Sequence, residues 1–395
     1  MKRFDLITPE GTRDLLFDDC LIRKSVETKI HKIFESRGYS EVVTPGLEFY
    51  DVFNLNSRYF PQENLYKLTD NKGRLLVVRP DSTMPIARLV STRLKDAELP
   101  LRLFYNQSVY SPNKSLAGKS NEVVQTGIEL IGTYSRKADL DVLSTAIEVL
   151  SSCDNDKFRI EIGDIGFFRE LVNQLPSDDE VKEKIRKLIE AKNYPALNDL
   201  LDSIGENKVT NALKQLPRLF GGEEVFDKAS SLFCDEKIEE ILSNLKFIYT
   251  SLEKLGYNGK ITVDLGIVNR TDYYTGVIMK GYIQGYGEEV LSGGRYDKLI
   301  SEFGYDVPAT GFAVNVDAIS EMLKNSGVKP ERNKTDIIVF SDEKNAMDAL
   351  IYAQKLRNEG YTVEYSPFDT IEETKYYAQT NGNIKIIVYR GEDNE

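Results

Sequence analysis

Val123-Val124-Gln125-Thr126-Gly127-Ile128-Glu129-Leu130 reads as a strand, and it carries the anomaly on which the fold turns. Gln125 and Glu129 lie four apart, so at a period of two both side chains leave the same face. A carboxylate and an amide in a run of Val, Ile and Leu must be hydrogen-bonded or line a cavity, because burying them unpaired is costly.

Outward from this strand, 75–78 and 101–105 are further strand-like runs, and 85–94 has helical character. Residues 139–152 form a second helical pattern, with Leu140, Val142, Leu143, Ala146 and Leu150 on its apolar side. Upstream, Leu21, Val26, Ile30, Ile33 and Phe34 recur at helical spacing and predict a helix over 25–36. Gly38 is placed to close it in a left-handed conformation. A strand over 41–45 follows, ended by Pro45. Strands separated by so few helices predict a mainly antiparallel sheet, an α+β architecture.

From 165 to 256 Glu, Lys, Leu and Ile dominate, and helical periodicity is nearly continuous, broken at Pro176, Pro195 and Pro217. This predicts an inserted helical module. A strand is expected at 261–265. A hairpin-like pair over 273–280 and 289–296 follows around Gly285-Tyr286-Gly287, and then a helix from about Ala313. Residues 324–334 read as a polar linker. After it, strands at 337–340, 361–365 and 384–389 alternate with helices at 346–358 and 371–379, the pattern of a small parallel α/β unit. The expected organisation is a core domain over 1–323, containing the insertion at 165–256, and a small domain over 335–395.

The net charge of −12 argues against a protein whose main business is a phosphate backbone. No run approaches the roughly 18 apolar residues of a membrane helix, and the first residues lack the apolar core of a signal peptide. Cys20, Cys153 and Cys234 stand far apart and read as cytosolic thiols, which predicts a cytoplasmic location. The chain has one histidine, His31, in a charged helical stretch. One His without a neighbouring His or Cys makes no metal site, and its scarcity leaves no Ser-His-Asp or Cys-His chemistry. No cofactor is expected.

Four polar segments are more informative together than apart: 79–88 (Arg79-Pro80-Asp81-Ser82-Thr83-Met84-Pro85-Ile86-Ala87-Arg88), 125–129, 272–276 (Asp272-Tyr273-Tyr274-Thr275-Gly276) and 292–297 (Ser292-Gly293-Gly294-Arg295-Tyr296-Asp297). Asp81 and Thr83 equally fit a helix N-cap ahead of Met84-Pro85. Tyr273 and Tyr274 equally fit a strand core.

With Gly38-Tyr39 to Thr44-Pro45 and Ala309-Thr310-Gly311-Phe312-Ala313, these segments resemble histidyl-tRNA synthetase over nearly the whole chain, from about residue 8 to 390. The resemblance implies a class II aminoacyl-tRNA synthetase-like fold, a dimer built through the helix and strand near 38–45, and a truncated anticodon-binding-like C-terminal domain. Carried over by position, the histidine contacts fall on Asp81, Thr83, Gln125, Glu129, Tyr273, Tyr274 and Tyr296. The chemistry agrees: carboxylate, hydroxyl and amide acceptors suit an ammonium, and a second carboxylate with phenols suits two ring nitrogens.

The family's ATP-side and histidine-motif arginines have no counterpart here. Their positions hold Ser111, Ala318 and Asn269, with Arg270 beside the last. Losing such contacts removes several kcal/mol each from the transition state of adenylation. The chain is therefore similar to a non-catalytic branch: histidyl-tRNA synthetase-like proteins that serve as regulatory subunits of short-form ATP phosphoribosyltransferase. The opening Thr8-Pro9-Glu10-Gly11-Thr12-Arg13-Asp14-Leu15-Leu16 also resembles that branch. The resemblance implies a partner, the short catalytic subunit, within a hetero-octamer. It implies histidine as effector and a role in the first step of histidine biosynthesis, with feedback inhibition, and no tRNA substrate. An active histidyl-tRNA synthetase and a free-standing histidine sensor are the alternatives.

Overall fold

The computed structural model describes residues 3–55, 60–112, 120–153, 157–268, 273–332 and 334–391. Contacts divide the chain into two compact units, Met1–Val328 and Lys329–Glu395.

In the first unit the strands are β1 (Ser40–Glu41), β2 (Leu47–Phe49), β3 (Lys67–Thr69), β4 (Leu75–Val78), β5 (Leu101–Tyr110), β6 (Glu122–Ile131), β7 (Phe158–Asp164), β8 (Phe220–Gly221), β9 (Ile261–Asp264), β10 (Val277–Ile283), β11 (Glu289–Arg295) and β12 (Ala309–Asn315). Among the described residues, nine of these form one sheet in the order β1-β5-β6-β12-β11-β10-β7-β9-β8. The central pairings, from β5·β6 through β10·β7, are all antiparallel. β1·β5 and β7·β9 are parallel. The architecture is the α+β, class II synthetase-like one. β2, β4 and β3 form a separate small antiparallel sheet.

Alternation splits the central sheet into two working faces. Phe104, Ile128, Leu130 and Phe312 join a large apolar cluster with α1 (Asp18–Ser36) and α3 (Arg136–Cys153). Phe34 is fully buried there, with its ring 5.7 Å from Phe104, 6.0 Å from Phe312 and 6.4 Å from Tyr39. The other face carries Leu103, Tyr105, Ile278 and Tyr296, and packs with α2 (Thr83–Arg93).

Between β7 and β9 lies the helical insertion: α4 (Ile165–Asn173), α5 (Asp179–Glu190), α6 (Tyr194–Ile204), α7 (Lys208–Gln215), α8 (Glu224–Leu232) and α9 (Glu236–Lys254). Side-chain caps set most of the starts. Asp164 accepts from Gly166 N, Asp178 from Val181 N, Asn193 from Ala196 N and Asp235 from Ile238 N, while Asn207 and Thr210 form a capping box. Pro195 opens α6 instead of breaking a helix, as its missing N–H costs nothing in a first turn.

Several boundaries differ from the sequence reading. The strand expected at 41–45 pairs only over Ser40–Glu41, because Thr44 is drawn aside to bond Gln107 and Arg79. The helix expected from Ala313 begins at Val316: 309–315 is a strand held between β6 and β11, and Asn315 supplies the cap to Ala318 N. Tyr273 and Tyr274 precede strand β10 instead of lying in it. Strand β7 has no sequence expectation, although its alternating apolar residues are buried.

After α10 (Val316–Asn325), the second unit holds β13 (Ile337–Phe340), α11 (Ala346–Asn358), β14 (Val363–Tyr365), α12 (Ile371–Thr380) and β15 (Lys385–Val388). Its strands are parallel in the order β14-β13-β15.

Phe34→Ala should cost about 3–5 kcal/mol, since it empties the contact among four rings. Urea denaturation measures this, and a loss below about 1 kcal/mol would show that the sheet does not depend on that contact.

Candidate functional site

Four separate pieces of chain converge on the second face of the sheet. β6 presents Gln125, Gly127 and Glu129 in alternation. In register beside them, β12 presents Gly311 opposite Glu129 and Ala313 opposite Gly127. On β11, Ser292 lies opposite Ala313, and Gly294 opposite Gly311. The glycines are required here. A Cβ at Gly311 would overlap Glu129 Oε2 and the Ile128 carbonyl, and one at Gly127 would overlap the Phe312 carbonyl and the Tyr105 hydroxyl.

The space so cleared is a cavity of about 180 Å³. Asp81, Thr83, Gln125, Glu129, Tyr273, Tyr274 and Tyr296 all line it, so all seven residues singled out from the sequence stand together. Phe60, Glu289 and Ser292 also line it and were not anticipated. For Ser292 a signal existed: it is four residues before Tyr296 on one strand pattern. Glu289 had none.

Glu129 is 2% exposed. Thr83 Oγ1 donates to its Oε1 at 2.9 Å and the Tyr296 hydroxyl to its Oε2 at 2.5 Å. Burial pushes this carboxyl up to about 8; the bonds from Tyr296 and Thr83 pull it down, and Asp81 pushes it further up. Asp81 stands at the start of α2, and its Oδ1 accepts the Met84 N–H at 2.9 Å. Burial raises it to about 6 against the backbone N–H groups of Met84, Thr83 and Ser82. Asp81 is thus both the helix cap and a wall of the cavity. Gln125 Oε1 is buried and has no donor among the described residues. The tyrosine rings close one side, Tyr273 lying 4.7 Å from Tyr274 and 5.8 Å from Tyr296.

The arginines of the quoted segments do other work. Arg79 donates to the carbonyls of Ser108 and Thr44, both at 2.7 Å, and to Gln107 Oε1 at 2.9 Å. Arg295, next to Tyr296, points away from the cavity into a buried ion pair with Asp139 at 2.9 Å, with Asp297 at 3.0 Å and the Thr133 carbonyl at 3.2 Å. Ser111 is exposed at the end of β5. Ala318, 2% exposed, packs in the large apolar cluster and does not line the cavity. Asn269, Arg270 and Asp272 lie outside the described residues. His31 sits half-buried with its ring 5.3 Å from Phe104. Among the described residues no cluster of His, Cys, Asp and Glu could hold a metal, and no helix is long and apolar enough to cross a membrane.

The cavity is rich in acceptors. Two carboxyls, held partly neutral by burial, and an unpaired amide oxygen suit a compact ligand that brings N–H donors and positive charge.

The fold is that of the class II synthetases, and the cavity opens on the second face of its antiparallel sheet. The histidyl-tRNA synthetase family model matches residues 11–319. A relative from Clostridium kluyveri, the ATP phosphoribosyltransferase regulatory subunit, is 44% identical over 96% of this chain and 97% of its own length. The protein of the same name from Clostridium acetobutylicum is 42% identical over 96% and 94%. A crystal structure of an ATP phosphoribosyltransferase regulatory subunit/histidyl-tRNA synthetase from Bacillus halodurans superposes with a TM-score of 0.86, at 29% identity, over 99% of this chain and all of that one. Histidyl-tRNA synthetase from Nostoc shares the fold, with a TM-score of 0.77 at 20% identity over 96% of this chain and 90% of that one. The chain belongs to the histidyl-tRNA synthetase family and, within it, to the ATP phosphoribosyltransferase regulatory subunits.

The raised Glu129 carboxyl has a stability consequence. An unperturbed glutamate ionises near 4.5, and this one near 8. The fold favours the protonated form, so its contribution is complete below about pH 4.5 and is lost as pH rises to about 8. Glu129→Gln should remove that slope. Relative to the variant, the native chain should lose up to about 1.4 kcal/mol per pH unit across this window. Parallel urea-denaturation curves from pH 5 to 8 would show that Glu129 is not held protonated.

Proposed function

We infer that this chain is a non-catalytic regulatory subunit that binds histidine in the cavity and passes its occupancy to a short ATP phosphoribosyltransferase catalytic subunit. The observation that carries this reading is the convergence of Asp81, Thr83, Gln125, Glu129, Tyr273, Tyr274 and Tyr296 on one cavity. The ammonium group meets Asp81, Thr83 and Gln125, and the imidazole meets Glu129 and Tyr274. Around the ring, a 2%-exposed carboxylate already carrying two hydroxyl donors can orient one N–H at fixed geometry.

The nucleotide side is dismantled in this reading. Ser111 and Ala318 offer no charge to a phosphate, and Ala318 lies in apolar packing that an arginine could join only with a large desolvation cost. Adenylation is therefore absent, and the second unit serves as an anticodon-binding-like module that takes no tRNA. The subunit works in the cytoplasm, in the first step of histidine biosynthesis. It is required for activity of the catalytic subunit and mediates feedback inhibition by histidine. It pairs with a second copy of itself near the 38–45 segment, where Val43, Leu47 and Phe49 are exposed, within a hetero-octamer. Thermodynamically, histidine must favour the inhibited assembly over the active one.

Mixing the chain with a short catalytic subunit should switch on transferase activity, and added histidine should reduce it. Glu129→Ala should keep the activation and lose the histidine response. Histidine-dependent ATP–pyrophosphate exchange by the chain alone would establish instead an active synthetase. Histidine binding without any gain of transferase activity would favour a free-standing sensor.

A further inference from the structure

We propose that the cavity reads the ammonium and the imidazole of its ligand and is indifferent to the carboxylate, so that imidazole amines with a neutral tail bind at least as tightly as histidine. This rests on the reading of the cavity as a histidine site, and it concerns what that site selects.

Three carboxyl groups line the cavity: Asp81, Glu129 and Glu289. Glu289 is tied to Lys280 at 3.1 Å, whereas Asp81 and Glu129 are bonded only to backbone N–H groups and hydroxyls. None of the described residues lining the cavity is a lysine or an arginine. The remaining polar groups are the Gln125 amide, whose oxygen is buried without a donor among the described residues, and the hydroxyls of Thr83, Ser292 and the tyrosines.

Such a lining rewards each end of the ligand differently. An ammonium brings three donors and a positive charge to acceptors that have neither. An imidazole can share a proton with Glu129. A carboxylate stands beside the Asp81 and Glu289 carboxylates, where like charges repel, finds no lysine or arginine among the described lining residues, and must give up its hydration to enter. Replacing it by an alcohol, an ester or hydrogen removes the repulsion and leaves the two recognised ends intact.

The test is calorimetric titration of the full chain with four probes: L-histidine, L-histidine methyl ester, L-histidinol and histamine. All four should bind, with the three neutral-tailed probes equal to or tighter than histidine. In Glu289→Gln, histidine should tighten relative to histamine, because one source of repulsion is gone. A merely structural role for Glu289 would move both alike. If histidine binds and the neutral-tailed probes are each weaker by about tenfold or more, the carboxylate is read and this proposal falls while the histidine site stands. If no probe binds, the histidine site itself falls, and this proposal with it.

Discussion

A carboxyl group that is 2% exposed, with two hydroxyls and, among the described residues, no cation bonded to it, is costly to keep ionised in a β-sheet. The surroundings of Glu129 are arranged around that cost. Its neighbour across the ladder has to be Gly311, because any side chain there would occupy the carboxylate's place. Thr83 reaches it from the start of α2, and Tyr296 from the end of β11. The carboxylate therefore fixes the position of three elements at once. What remains between them is an opening whose walls are short of donors.

The same strands are braced from the other side. Arg295 and Tyr296 are adjacent, and in an extended chain their side chains diverge. Tyr296 goes to Glu129, and Arg295 goes to Asp139 in α3. Thr275 N donates to the Arg295 carbonyl at 2.7 Å, and the Asp297 N–H donates to Thr275 Oγ1 at 2.9 Å, which moors the segment carrying Tyr273 and Tyr274. Breaking one partner out of the Arg295–Asp139 pair would leave a buried charge uncompensated, so the pair acts as a positional clamp. Arg79 does comparable work at the other end, fastening the Thr44 turn to β5. The positive charge in these segments is spent on holding the frame, and the cavity keeps its acidic character.

Much of this was legible in the sequence because period-two alternation is insensitive to context. Gln125 and Glu129 announced a shared face before any partner strand was known. Asp81 shows a real limit. Cap and ligand residue were competing readings of one carboxylate, yet with two oxygens it lines the cavity while Oδ1 holds the Met84 N–H. Boundaries failed where a side chain decided them: Asn315 starts α10 and Thr44 leaves its strand early, both through hydrogen bonds to residues that propensity does not weigh. Strand β7 escaped notice because its pairing partners, β10 and β9, lie about a hundred residues away, beyond the helical insertion. Glu289 reaches the cavity past a register shift in β10·β11, which no alternation rule anticipates.

A site can report occupancy only if its empty and filled states differ in free energy at places other than the ligand. On the proposed reading, this cavity meets that condition through protons and hydrogen bonds. Burial holds Glu129 largely protonated near neutral pH, raises Asp81 to about 6 and leaves the Gln125 oxygen without a donor among the described residues. A cation placed among them would favour both ionised forms and fill the unpaired acceptor in one step. The groups that feel this are not confined to one loop. Thr83 begins a helix, Tyr296 follows the last residue of a central strand, and that last residue, Arg295, reaches α3 on the opposite face. Ionisation of Glu129 strengthens its two hydroxyl bonds, one to α2 and one to the residue after β11. On the proposed reading, a ligand in this cavity is registered by α2, by the residue after β11 and, through Arg295, by α3.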